Sequence, residues 1–243
     1  MKKIKVAVIL AGLFIICSIG VAKFEYNKLG NKPISELDKG TKTDLEQDDT
    51  EEEDDIVNVP DESSKVDRNE NGIPDCIDIV NEARKEAEQK TEYKDAYYVG
   101  GYPPEGEGVC TDVIWKGFKA INVSIKDLID NDIKNNISAY KAVNGNPDPN
   151  IDFRRVLNQE AFFKRHCTEL TTDLIEGDVD NLKEWQPGDI VVFINSYQHV
   201  GIISDKRDDD GIPFVIHNMH PNASEAKLSW FPKIIDGHYR WKY

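Results

Sequence analysis

The stretch Gly108-Val109-Cys110-Thr111-Asp112-Val113 predicts the start of a helix with a cysteine on its first turn. Two prolines and two glycines precede it between residues 103 and 108, so the chain turns sharply before it becomes helical. Apolar and small residues then recur at helical spacing, which predicts one buried face: Cys110, Val113, Ile114, Gly117 and Ile121. Free N–H groups at a helix start stabilise a thiolate, so we expect a lowered pKa for Cys110 and a nucleophilic role. The alternative is an inert cysteine of the core.

Length and charge limit the classes of function. The 243 residues allow one good-sized domain with a small additional module. The formal net charge of −15 argues against nucleic-acid binding and against attraction to anionic lipid. Of the four cysteines, Cys17 lies in an apolar N-terminal run. The other three fit one reactive thiol together with either a Cys76–Cys167 disulfide or two inert thiols.

The N-terminus carries an export signal. Three lysines precede an unbroken apolar run over residues 6–22, and Lys23 follows it. Residues 1–26 are therefore predicted to be a signal anchor, or a signal peptide if they are cleaved. We expect the rest of the chain to be extracytoplasmic, held to the membrane by this segment or secreted after cleavage.

An acidic segment follows. Residues 27–64 are polar, and residues 48–55 include seven carboxylates that repel one another and cannot form a core. The composition predicts a disordered linker between the membrane and a domain.

Residues 65–92 combine a calcium-type loop with a helix. Hard oxygen donors fall at positions 1, 3, 5, 7, 9 and 12 of a twelve-residue loop, with Gly72 at the turn; the donors are Asp67, Asn69, Asn71, the Ile73 carbonyl, Asp75 and Asp78. The loop resembles the EF-hand-like loops of dockerin and related extracellular modules, although Asp replaces Glu at position 12. The resemblance implies a structural Ca²⁺ site; the alternative is an Asx-rich turn that caps the helix.

The last third of the chain is predicted to be β-structure. Apolar runs at residues 190–194, 198–203 and 212–217 are separated by turn residues, and residues 237–243 alternate polar and aromatic side chains. Short sequential hairpins form an antiparallel sheet, and the predicted helices precede it. The order predicts an α+β fold with N-terminal helices packed on an antiparallel sheet.

Two histidines provide a base for the cysteine. If the hairpin is symmetric about Asp208, His199 and His217 are directly opposite each other and share the sheet face that packs on the cysteine helix. His199 is then the general base, and His217 orients the His199 ring. Asn218 is the alternative residue for this orienting role. Tyr102, Asp112 and Asn218 are candidates for contact with the substrate or the oxyanion.

Four motifs carry a family resemblance: Gly-Val-Cys-Thr-Asp-Val, Trp-Gln-Pro-Gly-Asp-Ile-Val-Val-Phe, Gln-His-Val-Gly-Ile-Ile-Ser-Asp and Val-Ile-His-Asn. They occur in the order of the NlpC/P60 cysteine peptidase superfamily, although Val109 and Thr111 replace the Asp and Ser often found beside the nucleophile. Residues 93–243, which also contain Asp-Phe-Arg-Arg-Val and Gly-His-Tyr-Arg-Trp, look like the bacterial DUF1287 family. The resemblance implies a papain-like NlpC/P60 fold, with Cys110 as nucleophile, His199 as base and His217 as third member.

The leading interpretation is an extracytoplasmic cysteine amidase or endopeptidase, monomeric and free of a catalytic cofactor, acting on peptidoglycan peptides or another amide substrate. Alternatives are a papain-like acyltransferase or lipid-directed hydrolase, and an inactive, tethered cell-wall binding module. A zinc site formed by Cys110, His217 and His220 is the weakest alternative, because no matching cysteine pair accompanies it. His166, His220 and His238 are interpreted as structural.

Overall fold

The structure is a computed structural model that describes residues 56–243. The predicted anchor at residues 1–26 and most of the predicted linker lie outside the described residues. Among residues 56–243, no helix is long and apolar enough to cross a membrane.

Helices precede the main sheet, as the hydrophobic periodicity predicts. The described part of the chain has these α-helices: α1 (Asp75–Glu88), α2 (Cys110–Ala120), α3 (Ile125–Asn136), α4 (Val156–His166) and the single turn α5 (Val179–Leu182). Short 3₁₀ segments lie at Ile137–Ala139, Lys141–Val143, Asp152–Arg154 and Leu228–Trp230. The helix predicted to begin near Cys110 begins at that residue.

The strands form one eight-stranded sheet. They are β1 (Glu92–Tyr93), β2 (Glu107–Gly108), β3 (Thr168–Glu169), β4 (Ile190–Phe193), β5 (His199–Arg207), β6 (Pro213–Met219), β7 (Asn222–Lys227) and β8 (Gly237–Arg240). The spatial order is β2-β1-β7-β6-β5-β4-β8-β3. The short β1–β2 pair is parallel and the other pairs are antiparallel. The predicted α+β class is confirmed, with β1, β2, β3 and β7 as additional strands.

Both faces of the central strands are buried. Val200 and Ile202 on β5 face the helices, within a core that also includes Ile79 of α1 and Ile114 of α2. The alternate residue Ile203 faces a second apolar cluster with Trp185, Val215 and Leu228. The side-chain alternation of a strand therefore separates two cores, and a residue's parity on β5 decides which core it enters.

Gly117 allows α1, α2 and β5 to approach one another closely. A Cβ at this position would lie 3.0 Å from Ile202 Cδ1 and 3.1 Å from Ile79 Cγ2. Since both neighbours are fully buried, neither has free space to move into. This contact seats the cysteine helix directly on the central strand.

The structure corrects the predicted boundaries at two places. The linker prediction is wrong for residues 56–64: Val57 and Val59 pack against the second apolar cluster, and Gln186 Nε2 donates to Pro60 O at 3.1 Å. The apolar residues of this stretch explain the difference, because they find a hydrophobic surface in the fold. The segment at residues 65–92 is likewise part of the domain, since α1 is buried against α2 and the sheet through Ile79, Val80 and Ala83.

The cysteines outside the N-terminal run form no disulfide. Cys76, Cys110 and Cys167 are free and buried. Of the two arrangements that the sequence allowed for Cys76 and Cys167, the structure has the inert thiols.

A buried polar cluster supports the turn before β4. The His238 ring stacks on Trp185 with centroids 3.8 Å apart, and its Nε2 lies 3.0 Å from Asp189 Oδ2. Arg240 donates to both Asp189 oxygens at 2.7 Å. The structural interpretation of His238 agrees with this position, far along the sheet from β6.

Candidate functional site

The cysteine helix begins after an extended residue. Val109 has φ −127° and ψ −178°, and Cys110 is the first residue of α2. A glycine is favoured at position 108, immediately before Val109, because an added Cβ would lie 3.2 Å from Asp112 Cβ and 3.3 Å from Asp112 Oδ2. The local sequence therefore fixes Cys110 at the start of the helix.

Asp112 locks this start in place. Its Oδ2 accepts a hydrogen bond from Val109 N–H at 2.8 Å, and its Oδ1 accepts from Trp115 Nε1 at 2.7 Å. Arg154 donates to both oxygens, from Nε and Nη2, at 2.8 Å each. With these four donors and 2% exposure, the Asp112 carboxylate has a positioning role and is closed to a substrate.

Arg154 ties the helix start to a distant loop. It is 5% exposed, donates to Ala96 O at 2.8 Å, and lies over the Tyr98 ring at 5.1 Å. Thr111 Oγ1 donates to Arg154 O at 3.0 Å. Its neighbour Arg155 differs, because the Arg155 side chain is 40% exposed and its Nε lies 3.6 Å from Asp152 Oδ1.

Burial governs the Cys110 thiol. The residue is 6% exposed, and desolvation raises its pKa to about 12, against the opposing effect of the Val200 and Thr111 N–H groups. The expected lowering of the pKa by the helix start is therefore wrong for this conformation, because the loss of hydration outweighs the dipole. The resting side chain is a neutral thiol.

The sulfur lies against the central strand β5. The N–H directed at it from Val200 belongs to the residue that follows His199. Burial raises the pKa of the Tyr93 and Tyr197 phenols, and the charge of an ionised Cys110 raises both pKa values further, so both phenols lie within electrostatic range of the sulfur. The thiol thus lies against the backbone at the start of β5, where the chain carries His199.

His199 and His217 are in direct contact. His199 Nε2 lies 3.0 Å from His217 Nδ1, and the ring centroids are 5.0 Å apart. His217 Nε2 lies 3.2 Å from Ser224 Oγ, on the strand that pairs with β6. Within residues 56–243, His199 Nδ1 has no hydrogen-bond partner. A proton acceptor is therefore available at this ring nitrogen.

The pairing of the two histidines differs from the prediction in register and in face. Ile202 pairs with Ile216 and Ile203 with Val215, which puts His217 level with Gly201 and makes the histidines diagonal neighbours. They share the face of Ile203 and Val215, opposite the face on which α2 packs. Gly201 has no side chain between the two rings, and a Cβ there would lie 3.5 Å from His217 Cβ.

The hydrogen-bond partners define one consistent set of tautomers. If His199 Nδ1 is an acceptor, its Nε2–H donates to His217 Nδ1, and His217 then donates from Nε2 to Ser224 Oγ. Both contacts run in one direction, from His199 through His217 to Ser224. Such a chain fixes the ring of the base and disperses positive charge that develops on it.

Phe231 covers the histidine pair. Its ring stacks on His199 with centroids 5.9 Å apart and meets His217 edge-on at 4.9 Å. The apolar cover and burial lower the pKa of His199 to about 3, with a further contribution from the charge of His217, and desolvation lowers the pKa of His217 to about 4. Both rings are neutral at pH 7.

The family comparison covers this whole arrangement. The family described as "Domain of unknown function (DUF1287)" matches residues 80–241, a range that contains Cys110, both histidines and Ser224. The chain belongs to the DUF1287 family. It is also similar to the "Uncharacterized protein YijF" of Escherichia coli (strain K12), with 34% identity over 171 residues, 67% of this chain and 80% of the relative. No solved structure matches the chain.

Two further candidates lie apart from the sulfur in this DUF1287 domain. Tyr102 packs on Trp115 and Phe153, with its hydroxyl beside Ser124 at the start of α3, so the structure does not bring it to Cys110. Asn218 is 1% exposed and donates from Nδ2 to Gly108 O at 3.2 Å and Thr91 O at 3.3 Å. It supports the turn before Cys110 and makes no contact with the ring of His199.

Metal chemistry has little support around the thiol. In the part of the DUF1287 chain that the structure describes, no three His, Cys, Asp or Glu side chains are grouped to hold a metal ion. Cys110, His217 and His220 therefore do not form a zinc-binding group among the described residues.

Sequence reasoning missed three groups of the site. Ser224 lies on β7, whose sequence Asn-Ala-Ser-Glu-Ala-Lys has no apolar alternation, and Phe231 lies in an irregular segment. Tyr93 and Tyr197 approach the sulfur only through the tertiary fold. The one available signal was the turn at His220-Pro221-Asn222 directly after the predicted strand, which indicates a hairpin that returns beside His217.

The histidine pair gives a testable dependence of stability on pH. Since both folded-state pKa values lie below the unfolded value of 6.5, the unfolded chain binds more protons below that pH. Stability is then greatest above pH 6.5 and falls as pH decreases toward 4 and 3. Denaturant unfolding at pH 4 and pH 7 is expected to show a loss of roughly 3 kcal/mol for each histidine, which the His199→Gln/His217→Gln variant lacks. An equal pH dependence in the two proteins would contradict the assignment of neutral buried rings.

Proposed function

We propose that the chain is an extracytoplasmic cysteine hydrolase, an amidase or endopeptidase that cleaves amide bonds in peptidoglycan peptides. The observation that carries the proposal is the seating of the Cys110 sulfur against the His199–Val200 peptide, while His217 holds the far nitrogen of the His199 ring. A nucleophile needs an adjacent base, and that base needs a third group that orients it.

The proposed reaction requires the His199 ring to reach the sulfur from the opposite face of β5. His199 Nδ1 takes the thiol proton as the sulfur attacks the carbonyl carbon of the amide, which gives a tetrahedral oxyanion. The carbon–nitrogen bond then breaks, the amine leaves with the proton from His199, and a thioester forms on Cys110. A water molecule gives a proton to His199 and attacks the thioester, and the carboxylic acid leaves as the sulfur regains its proton.

The pKa values determine when the proton moves. A thiol with a pKa near 12 and an imidazole with a pKa near 3 do not form an ion pair in the resting enzyme. Proton transfer must therefore accompany attack, and imidazolium is stabilised by donation through His217 to Ser224. A substrate reaches the sulfur only after it displaces the groups that bury it.

Stabilisation of the oxyanion has new candidates. The N–H groups of Cys110 and Thr111 lie in the first turn of α2, where helical N–H groups have no acceptor within the helix. The hydroxyl of Tyr93 or Tyr197 replaces Tyr102 as the second donor, because the charge of an ionised Cys110 acts on both phenols.

The papain-like NlpC/P60 fold is part of the proposal. Its support is the order of the elements, with a cysteine at the start of a helix that packs on an antiparallel sheet and a base at the start of a central strand of that sheet. The substrate class rests on the motif resemblance and on the predicted N-terminal export signal. Membrane anchoring, or secretion after cleavage, is proposed on the same signal.

An inactive wall-binding module is the second candidate, because the same burial that makes the thiol neutral also shields it from a substrate. Digestion of purified peptidoglycan, with products identified by liquid chromatography and mass spectrometry, separates the two. The hydrolase releases soluble peptides with new amino and carboxyl termini. Retention of the protein on intact peptidoglycan without any released peptide would favour the binding module.

The hydrogen-bond chain predicts a ranking of effects on kcat. His199→Ala removes the base and is expected to lower kcat by about 10²–10⁴-fold. His217→Gln lowers it less, since the base is present but poorly oriented, and Ser224→Ala lowers it least. Steady-state kinetics on one released peptide measures the order, and circular dichroism verifies the fold. A Ser224→Ala variant more impaired than His199→Ala would contradict the chain.

A further inference from the structure

A cavity of about 570 Å³ lies between the outer side of α2 and the start of α3. Neither the proposed nucleophile nor the histidine pair lines it, so it is separate from the site described above. Its volume is within the range of about 300–1,000 Å³ that is typical of small-molecule sites. The side chains on which the argument depends are Tyr102, Trp115, Lys119, Asn122, Ser124 and Lys126.

Tyr102 presents an open aromatic ring to this cavity. Its ring centroid lies 4.7 Å from that of Trp115 and 5.4 Å from that of Phe153, with interplanar angles of 60° and 63°. These two edge contacts fix the ring, yet the residue stays 45% exposed. Because a fixed side chain has little conformational freedom left to lose, a ligand that stacks on it binds at a low entropic cost.

The backbone around Tyr102 maintains this position. Gly101 has φ +89°, and a Cβ there would lie 2.7 Å from Phe153 Cε1 and 3.3 Å from Asn150 O. Pro103, on the other side, has a fixed φ and restricts the backbone of the residue before it. The glycine lets the chain approach Phe153 closely, and the proline limits the movement of Tyr102 away from it.

Trp115 forms a second aromatic side of the cavity. Its Nε1 donates to Asp112 Oδ1 at 2.7 Å, and the Asp112 carboxylate is buried and held by Arg154. The indole therefore cannot turn without breaking a hydrogen bond to a buried charge. Two aromatic rings that are both fixed in place form a rigid corner.

The charge at the cavity is opposite to that of the chain as a whole. The formal net charge of the chain is −15, but two lysines line the cavity. Lys126 Nζ is paired with Asp130 Oδ2 at 2.6 Å. Lys119 is exposed in the last turn of α2, and no ion pair within residues 56–243 includes it. The cavity thus offers one cation without a protein counterion.

Uncharged hydrogen-bonding groups complete the lining. Ser124 Oγ accepts from Asp127 N–H at 3.3 Å and keeps its own O–H free to donate, and the Tyr102 hydroxyl lies beside it. Asn122 is exposed at the end of α2 with φ +59°. Hydroxyl and amide groups of this kind both donate to and accept from the hydroxyls of a ligand.

We propose that this cavity binds an acidic saccharide unit. The apolar face of a pyranose ring stacks on Tyr102 in the aromatic corner, Ser124 and Asn122 bind its hydroxyls, and Lys119 pairs with its carboxylate. One unpaired lysine matches a single carboxylate, whereas the phosphate chain of a nucleotide would bring several negative charges. The choice of a cell-wall sugar as the probe rests on the proposed function, but saccharide binding itself does not depend on Cys110.

Titration of the full-length chain in detergent, labelled with ¹⁵N at tryptophan, tests the site. The chain has four tryptophans, and the indole N–H signal of Trp115 is identified by its loss in Trp115→Phe. N-acetylmuramic acid is expected to shift this signal saturably and to bind about threefold more tightly than N-acetylglucosamine, which lacks the carboxylate. High salt is expected to remove the difference. The signal of Trp230, which is 74% exposed and outside the cavity, is expected to stay in place.

The two possible sources of the saccharide are distinguished by a second ligand. Glycan strands stripped of their peptides carry the same carboxylate on each muramic acid unit. Tighter binding of the strands than of the monosaccharide, per sugar unit, identifies the wall as the source. Tighter binding of the monosaccharide identifies a free acidic sugar.

Two lysine variants provide the matched comparison. Lys119→Gln is expected to abolish the preference for the acidic sugar. Lys134→Gln removes the same charge from an exposed position on α3 that does not line the cavity, and it is expected to preserve the preference. Tyr102→Leu is expected to weaken the binding of both sugars about fivefold or more.

Cys110→Ala separates this proposal from the proposed hydrolase, because the variant is expected to bind the sugar unchanged although it cleaves nothing. An unshifted Trp115 signal, equal affinity for the two sugars, or an equal effect of the two lysine variants would overturn the saccharide site.

Discussion

Cys110→Ala is expected to abolish peptide release from peptidoglycan, with a loss of at least about 10³-fold in kcat. The reason is chemical, because the attacking atom is gone and no other described thiol lies near His199. The fold is expected to persist, since cysteine and alanine differ by one buried sulfur atom. Peptide release under saturating substrate, measured beside the circular dichroism spectrum, gives the result.

Cys167→Ala is the matched control. Cys167 is equally 6% exposed, and burial also raises its pKa to about 12, but it lies at the end of α4 and not beside His199. Its replacement is expected to leave kcat within about twofold of the parent. Equal activity of the parent and Cys110→Ala would remove the nucleophile from the account.

Arg154→Met is expected to destabilise the fold by about 3–5 kcal/mol, because it leaves the Asp112 carboxylate buried without its countercharge. The loss corresponds to a decrease of roughly 10 °C in Tm for a domain of this size. The N-terminal end of α2 is expected to loosen as well, since the same carboxylate caps Val109 N–H. Urea unfolding at pH 7 measures the change.

A double-mutant cycle tests the cause. Asp112→Asn/Arg154→Met removes both charges while an amide oxygen is kept for the cap, so it is expected to be more stable than Arg154→Met alone. The exposed pair Asp180–Lys183 provides the comparison, and Lys183→Met is expected to change stability little. A double variant no more stable than the single one would show that the charge pair is not the source of the loss.

The start of the cysteine helix was predictable from local sequence. The prolines and glycines before Gly108 break regular structure, and the apolar spacing from Cys110 onward has the period of a helix. The apolar runs of β4, β5 and β6 were equally clear. These elements depend on near neighbours in the chain, which a single sequence contains.

The register and face of the histidine hairpin were not predictable. Both faces of β5 are buried, so Val200 and His199 are equally inaccessible and the alternation that marks an exposed face is missing. The pairing also shifts between Ile203 and Arg207. The assumption of a symmetric turn about Asp208 therefore placed His217 opposite His199, two residues from its actual partner position Gly201.

Long-range partners were the other gap. The Asp112–Arg154 pair spans 42 residues and Ser224 reaches His217 from a strand without a hydrophobic pattern. The pKa of Cys110 has the same origin, since the strand against which the sulfur lies comes from another part of the chain. Burial is a property of the assembled fold and has no local signature.

Detection of an acyl-enzyme on Cys110 tests the central claim most directly. The chain is mixed with a peptidoglycan stem peptide, quenched with acid within one turnover, and its digest is mapped by mass spectrometry. We predict the mass of the acyl fragment on the peptide that contains Cys110, its absence in Cys110→Ala, and its loss on treatment with hydroxylamine. Cleavage of the stem peptide with Cys110 unmodified, or tight binding with neither adduct nor cleavage, would contradict the account.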